Sequence, residues 1–148
     1  MNRFNALAPQ AHWLLRIGLS SVFLYHGLTK FPVLSGMAEM MGMPVVMVAL
    51  IAILETAGGV LVLVGGFGPD WATRLGGLFI APIMLGAIFM VHLQHGWNSI
   101  NMGTGNMGRG MEFQFVLLVT ALYFLLAGNA HSGTAEAAPE VATQAAGR

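Results

Sequence analysis

The chain has 148 residues, 56% of them hydrophobic and only 8% charged, with a net charge of zero from six basic and six acidic side chains. A soluble domain carries about 25% charged residues, so this composition specifies an integral membrane protein, and the lack of any basic cluster excludes nucleic-acid binding. The absence of cysteine excludes disulfides, zinc–thiolate or iron–sulfur ligation, and a thiol relay run by this chain alone.

Residues 1–12 read as a short lead. Arg16 interrupts the apolar region and no A-x-A-like site follows, so a cleavable signal is not expected. Four apolar segments come next, at about 13–31, 45–66, 71–93 and 111–128. Each has the roughly 17–25 residues of a spanning helix and none has the alternation of a barrel strand. The expected fold is all-α, an integral membrane four-helix bundle forming one domain over 13–128.

On the first helix, His26, Lys30, Leu19 and Phe23 share a face, with Arg16 at its edge and Ile17, Leu24 and Leu28 opposite. Arg16 lies one turn inside the helix end and is placed to snorkel to the headgroups; Lys30 can do the same at the other end. The segment 32–44 faces outward.

The second helix is apolar except for Glu55 and Thr56. Val48, Ala52, Gly59 and Gly66 lie on the Glu55 face, with Gly58 at its edge, while Leu50, Ile53, Ala57, Val60, Leu61 and Val64 lie opposite. A carboxylate at that depth costs on the order of 3 kcal/mol. The glycine face is therefore expected to pack on other helices and hide Glu55, leaving the aliphatic face to lipid. The blander reading is that Glu55 only clips one helix to another.

The FGPD link makes the second and third helices antiparallel neighbours, with Asp70 expected as N-cap. Pro82 interrupts the third helix, where it frees a carbonyl. His92 and His95 close it. Their H-x-x-H spacing can chelate a metal, but paired histidines at a helix end are more often interfacial, and no metal site is assigned. The segment 94–110 is polar and glycine-rich and is expected to be a mobile loop. Glu112 opens the fourth helix, where the macrodipole favours an acid. It begins a stripe of Glu112, Val116, Val119 and Tyr123. The tail, 129–148, is expected to be disordered. Lysine and arginine near the helix ends bias both termini to the cytoplasmic side.

Counting about 1.5 Å per residue places His26 and Glu55 within roughly 3–5 Å of each other in depth, with Tyr123 at a similar level. The expected site is a buried polar cluster of His26, Glu55 and Tyr123 below an outer vestibule of Lys30, His92, His95 and Glu112. Arg16, Gly58, Gly59, Arg74 and Pro82 are expected to be structural or interfacial. Seven of the eleven methionines, Met37, Met40, Met41, Met43, Met102, Met107 and Met111, lie in or beside the two outward segments. Thioether suits Cu(I), but methionine also fills irregular contacts and no repeated motif is present.

The spacing of Arg16, His26-Gly27 and Lys30, of Glu55-Thr-Ala-Gly58-Gly59 followed by Leu63 and Gly65, and of Arg74, His92 and Glu112 resembles the DoxX family of small bacterial membrane proteins. It covers residues 12–130. The resemblance implies a four-helix protein of the bacterial inner membrane, associated with respiratory or sulfur-linked oxidoreductase systems in which family members sit beside quinone-using enzymes.

The leading expectation is thus a small oxidoreductase subunit that binds quinone or quinol in an apolar slot. His26, Glu55 or Tyr123 would bond its oxygens while a protein partner moves the electrons. No nucleophile or redox centre is visible, and no catalytic residue is assigned. A non-enzymatic assembly or anchoring factor is the alternative. A solute or proton pathway is a third reading, and it requires a homo-oligomer, since four short helices leave little room for a pore.

Overall fold

The computed structural model describes residues 6–100 and 108–130. Its helices are α1 (His12–Lys30), α2 (Leu34–Met41), α3 (Val45–Val64), α4 (Asp70–Ala87) and α5 (Glu112–Ala127). None of the described residues lies in a strand. Four of the five are the long helices of the expected bundle. Local chemistry sets their ends. Pro44 and Pro69, with ψ of 142° and 144°, deliver the chain in extended form to the first turns of α3 and α4, because proline fixes φ and lacks the N–H a helix start leaves unused. Gly42 ends α2 at a φ of 63°, its N–H donating to the Ala38 and Glu39 carbonyls, a left-handed cap that glycine adopts without steric cost.

The helix α2 occupies the outward segment 32–44, which showed no more than a short link between spans. The axis of α4 also runs on past Ala87 through a π turn, Ile88–His92, and a 3-10 turn, Leu93–His95. Val45–Val64 and the continuous Asp70–His95 are long and apolar enough to cross a membrane. The helix α5 is apolar but has 16 residues, and α1, with 19, carries Arg16, His26 and Lys30.

Packing runs α1 on α3, α3 on α4 and α4 on α5, while α1 and α5 touch only sparingly. Glycines set these contacts. A Cβ at Gly27 would strike Thr56 and the Ala52 carbonyl, one at Gly58 would strike Ile80 and crowd the Gly76 carbonyl, and one at Gly77 would strike Ala121 and Leu125 of α5. Lipid tails are as apolar as leucine, so close backbone approach supplies the van der Waals contact that burial of greasy surface supplies in water. Between the helices lies a core that includes Leu19, Phe23, Val62, Ile80, Leu118, Ala121 and Phe124. The two faces of α3 are as expected: Val48, Ala52, Glu55, Gly58, Gly59 and Val62 are buried, and Leu50, Ile53, Val60 and Val64 are exposed.

Asp70 is not an N-cap. The cap position belongs to Pro69 and carries no side-chain bond. Asp70 opens α4 and instead bonds Arg74 Nε through Oδ2 and the Asn129 N–H through Oδ1, at 2.5 and 2.6 Å. Asn129, the first residue of the expected tail, is thus part of the bundle. Residues 131–148 of that tail, and residues 101–107 of the expected loop, lie outside the described residues. The described ends of the loop are tied down: Met111 N–H donates to the Gly96 carbonyl and Glu112 N–H to that of Trp97, both at 3.0 Å.

Candidate functional site

Two polar centres sit at opposite ends of the bundle. The end that carries residues 12, 65–70 and 130 is here the terminal end, and the other, under α2, the far end.

In the far half, the long helices and α2 enclose a cavity of about 460 Å³. Its walls are aliphatic, aromatic and methionine side chains, including Phe23, Ile51, Leu54, Met84 and Leu117, and its polar lining is His26, Lys30, Glu55, His92 and Gln114. Glu55 is buried. Lys30 Nζ donates to Glu55 Oε2 at 2.5 Å and to the His26 carbonyl at 3.0 Å. The ammonium, four residues beyond His26 at the end of α1, folds back along its own helix to meet an acid fixed mid-way along α3. An acid and a base in contact inside a low-dielectric wall attract more strongly than in water, which offsets part of the cost of burying Glu55. The Gln114 Oε1 atom is buried and has no hydrogen-bond partner among the described residues.

The expected grouping of His26, Glu55 and Tyr123 takes a different form. Glu55 is buried and His26 lines the same cavity, but His26 is exposed and its imidazole stands edge-on to Tyr25, with centroids 5.6 Å apart. Lys30, assigned to the vestibule, is the partner of Glu55. Tyr123 is not among the cavity-lining residues; it packs edge-to-face on Phe124 and lies within electrostatic range of Arg16. Depth counting aligned the three along the membrane normal, but it carries no information on how far apart they lie around the bundle.

Of the vestibule residues, Lys30 and His92 line the cavity while His95 and Glu112 do not. His92 Nδ1–H donates to the Arg109 carbonyl at 2.7 Å. Glu112 Oε1 accepts the Ser99 N–H at 2.9 Å and pins the loop to α5. Among the described residues no group of three or more His, Asp or Glu side chains is placed to hold a metal ion. Pro82 lines the cavity from α4.

The terminal-end centre is built on Arg16, whose side chain is fully buried. It turns inward and does not snorkel, because it finds acceptors there. Its Nε donates to His12 Nδ1 at 2.9 Å, one terminal nitrogen to the Val62 carbonyl and Thr73 Oγ1 at 2.6 and 2.8 Å, and the other to Asn129 Oδ1 at 2.7 Å. Its Cζ lies 4.8 Å from the Phe124 ring centroid, within cation–π range. Asn129 also accepts from Thr73 Oγ1 and donates to the Gly65 and Gly68 carbonyls. Arg74 donates to the last carbonyls of α5, those of Leu125, Leu126 and Ala127, capping the negative end of its dipole. This centre is held together by bonds among its own residues. The cavity is the candidate site.

The sequence reading left Gln114 and the methionine walls contributed by Met47, Met84 and Met90 out of the site. Only the azimuth of Lys30, on the His26 face, hinted at the ion pair.

The chain matches the DoxX family over residues 11–93. It is similar to a Bacillus subtilis (strain 168) protein named "Putative oxidoreductase CatD", with 34% identity over 119 residues covering 78% of each chain. No solved structure matches it.

Proposed function

Because the chain belongs to the DoxX family of integral membrane proteins, we propose that it is a small bacterial inner-membrane subunit of an oxidoreductase system and that its cavity takes the ring of a quinone or quinol. The supporting observation is an apolar cavity of about 460 Å³ that ends on a buried acid–base pair. Its volume falls in the roughly 300–1,000 Å³ range of small-molecule sites, which are mostly apolar with a few placed polar groups.

The donor set fits both redox forms of such a ring. A carbonyl oxygen accepts a hydrogen bond from Lys30 Nζ; a ring hydroxyl donates to Glu55. Gln114 Oε1, without a hydrogen-bond partner among the described residues, adds an acceptor to the same lining. When bound, the ring supplies a two-electron, two-proton couple. The protein's part is to exclude water with its aliphatic and methionine walls, to orient the ring oxygens on Lys30 and Glu55, and to hold or release a proton at Glu55 Oε2. With no cysteine in the sequence, this chain runs no thiol relay of its own, and the reading gives electron transfer to a protein partner. In this reading all four long helices cross the membrane with both termini cytoplasmic.

The test is quinone affinity of the protein in lipid nanodiscs. Glu55→Gln and Lys30→Met are each expected to weaken binding at least tenfold, about 1.4 kcal/mol. Unchanged affinity in both variants removes the reading.

A further inference from the structure

The helices α3 and α4 pack tightly at one end and both border the cavity at the other. In the terminal half they meet through small residues. A Cβ at Gly58 would lie 3.3 Å from the Gly76 carbonyl, and one at Gly65 would collide with Thr73. In the far half the cavity lies beside both helices. Met47, Leu50 and Leu54, spaced i, i+3, i+7 along α3, and Pro82, Gly86 and Met90, spaced i, i+4, i+8 along α4, all line the cavity instead.

Several of these residues are also open to the outside. Leu50 is 48% exposed, Met47 46% and Met90 64%, Pro82 is exposed, and a Cβ built on Gly86 would meet nothing within 4 Å. Side chains that line a cavity and also reach the outer surface mark where it can open. His26 on α1 and His92 and Phe113 at the α4–α5 side also do both, but the two imidazoles make those edges polar, whereas the α3–α4 flank is apolar throughout. That flank belongs to the two helices that are long and apolar enough to span a membrane, so it faces the acyl chains. Toward the far end the cavity is walled by Met37, Met41 and Met43, each only partly exposed.

We propose that the cavity opens sideways into the bilayer between α3 and α4, and that its ligand is a ring-headed lipid whose hydrocarbon chain leaves through this gap. The proposal rests on the quinone reading above and adds to it the chain and its route. The polar ring lies against Lys30 and Glu55, and the chain runs out between Leu50 and Gly86. None of the six residues at the gap has a polar side chain, so a chain there exchanges one apolar surrounding for another and desolvates no polar group. A cavity of about 460 Å³ accommodates a substituted ring and its first few carbons; a longer isoprenoid chain has to leave it. A water-soluble ring gains nothing from the gap.

The test compares an isoprenoid quinone with the same ring lacking its chain, each titrated into wild-type protein and into Gly86→Trp and Leu50→Trp in phosphatidylcholine nanodiscs. Wild type is expected to bind the chain-bearing form at least tenfold more tightly. An indole on either wall fills the gap, so each variant is expected to lose most of that preference, its affinity for the chain-bearing ring falling toward that for the chainless one, while a cooperative thermal transition in the nanodisc reports that it is folded. If both variants keep the preference, the lateral route is overturned and the quinone reading stands. If wild type binds neither compound, both fall.

Discussion

Asn129→Ala is expected to destabilise the protein by about 4 kcal/mol, although it alters one side chain beyond the last helix. The Asn129 side chain makes four bonds, with Arg16, Thr73, Gly65 and Gly68. The substitution removes all four and leaves the backbone bond to Asp70 in place. Hydrogen bonds between membrane helices average about 0.6 kcal/mol, so four come to roughly 2 kcal/mol. A comparable share comes from the guanidinium, which is fully buried and would keep one nitrogen without its acceptor, a penalty of about 1–3 kcal/mol. Unfolding in mixed dodecyl maltoside and dodecyl sulfate, followed by tryptophan fluorescence, measures the change. A double-mutant cycle with Arg16→Met then separates the two contributions. Once the guanidinium is gone, Asn129→Ala is expected to cost at least 1 kcal/mol less than in the wild type. A cost under about 1 kcal/mol for the single variant, or strict additivity in the cycle, would refute the reasoning.

The buried ion pair is expected to be asymmetric to mutation. Lys30 sits at the end of α1 and can reach the headgroups once released, so Glu55→Leu should cost about 1 kcal/mol. Glu55 is midway along α3 and has no such escape, so Lys30→Met should cost about 3 kcal/mol, with the double variant recovering most of it; the same unfolding titration decides, and equal costs would count against the geometry. The glycines divide in the same way. Gly27→Ala should lower stability by about 2 kcal/mol, because its Cβ meets backbone atoms of Thr56 and Ala52 that cannot rotate aside. Gly18→Ala, with nothing within 4 Å, should raise it by up to about 1 kcal/mol through helix propensity. Thermal unfolding in detergent compares the pair.

The helices and the hidden face of α3 were legible because each follows from one-dimensional regularities: run length, the 100° step, and the cost of a carboxylate in lipid. The site was legible only in part. Depth along an axis follows from residue number, and it brought His26 and Glu55 to one cavity, but direction around the bundle depends on how helices cross. That is why Tyr123 lies with Phe124 instead of at Glu55 and why Lys30 is the partner. Arg16 misled for a related reason. Its position one turn from a helix end is compatible with snorkelling, and the acceptors that draw it inward, at 62, 73 and 129, belong to other segments and are ordinary residues in sequence. The helix α2 was obscured by the prolines and glycines that frame it, which signal turns whether or not eight residues between them coil.

The four acceptors around Arg16 come from four successive parts of the chain: His12 on its own helix, the Val62 carbonyl on α3, Thr73 on α4 and Asn129 after α5. During synthesis they therefore become available in strict order, one per long helix. Until residue 129 leaves the ribosome, the guanidinium lacks its last acceptor, and α1, which touches α5 only sparingly, has little grip on it. The cation set down first in α1 thus comes fully to rest only when the final helix has arrived.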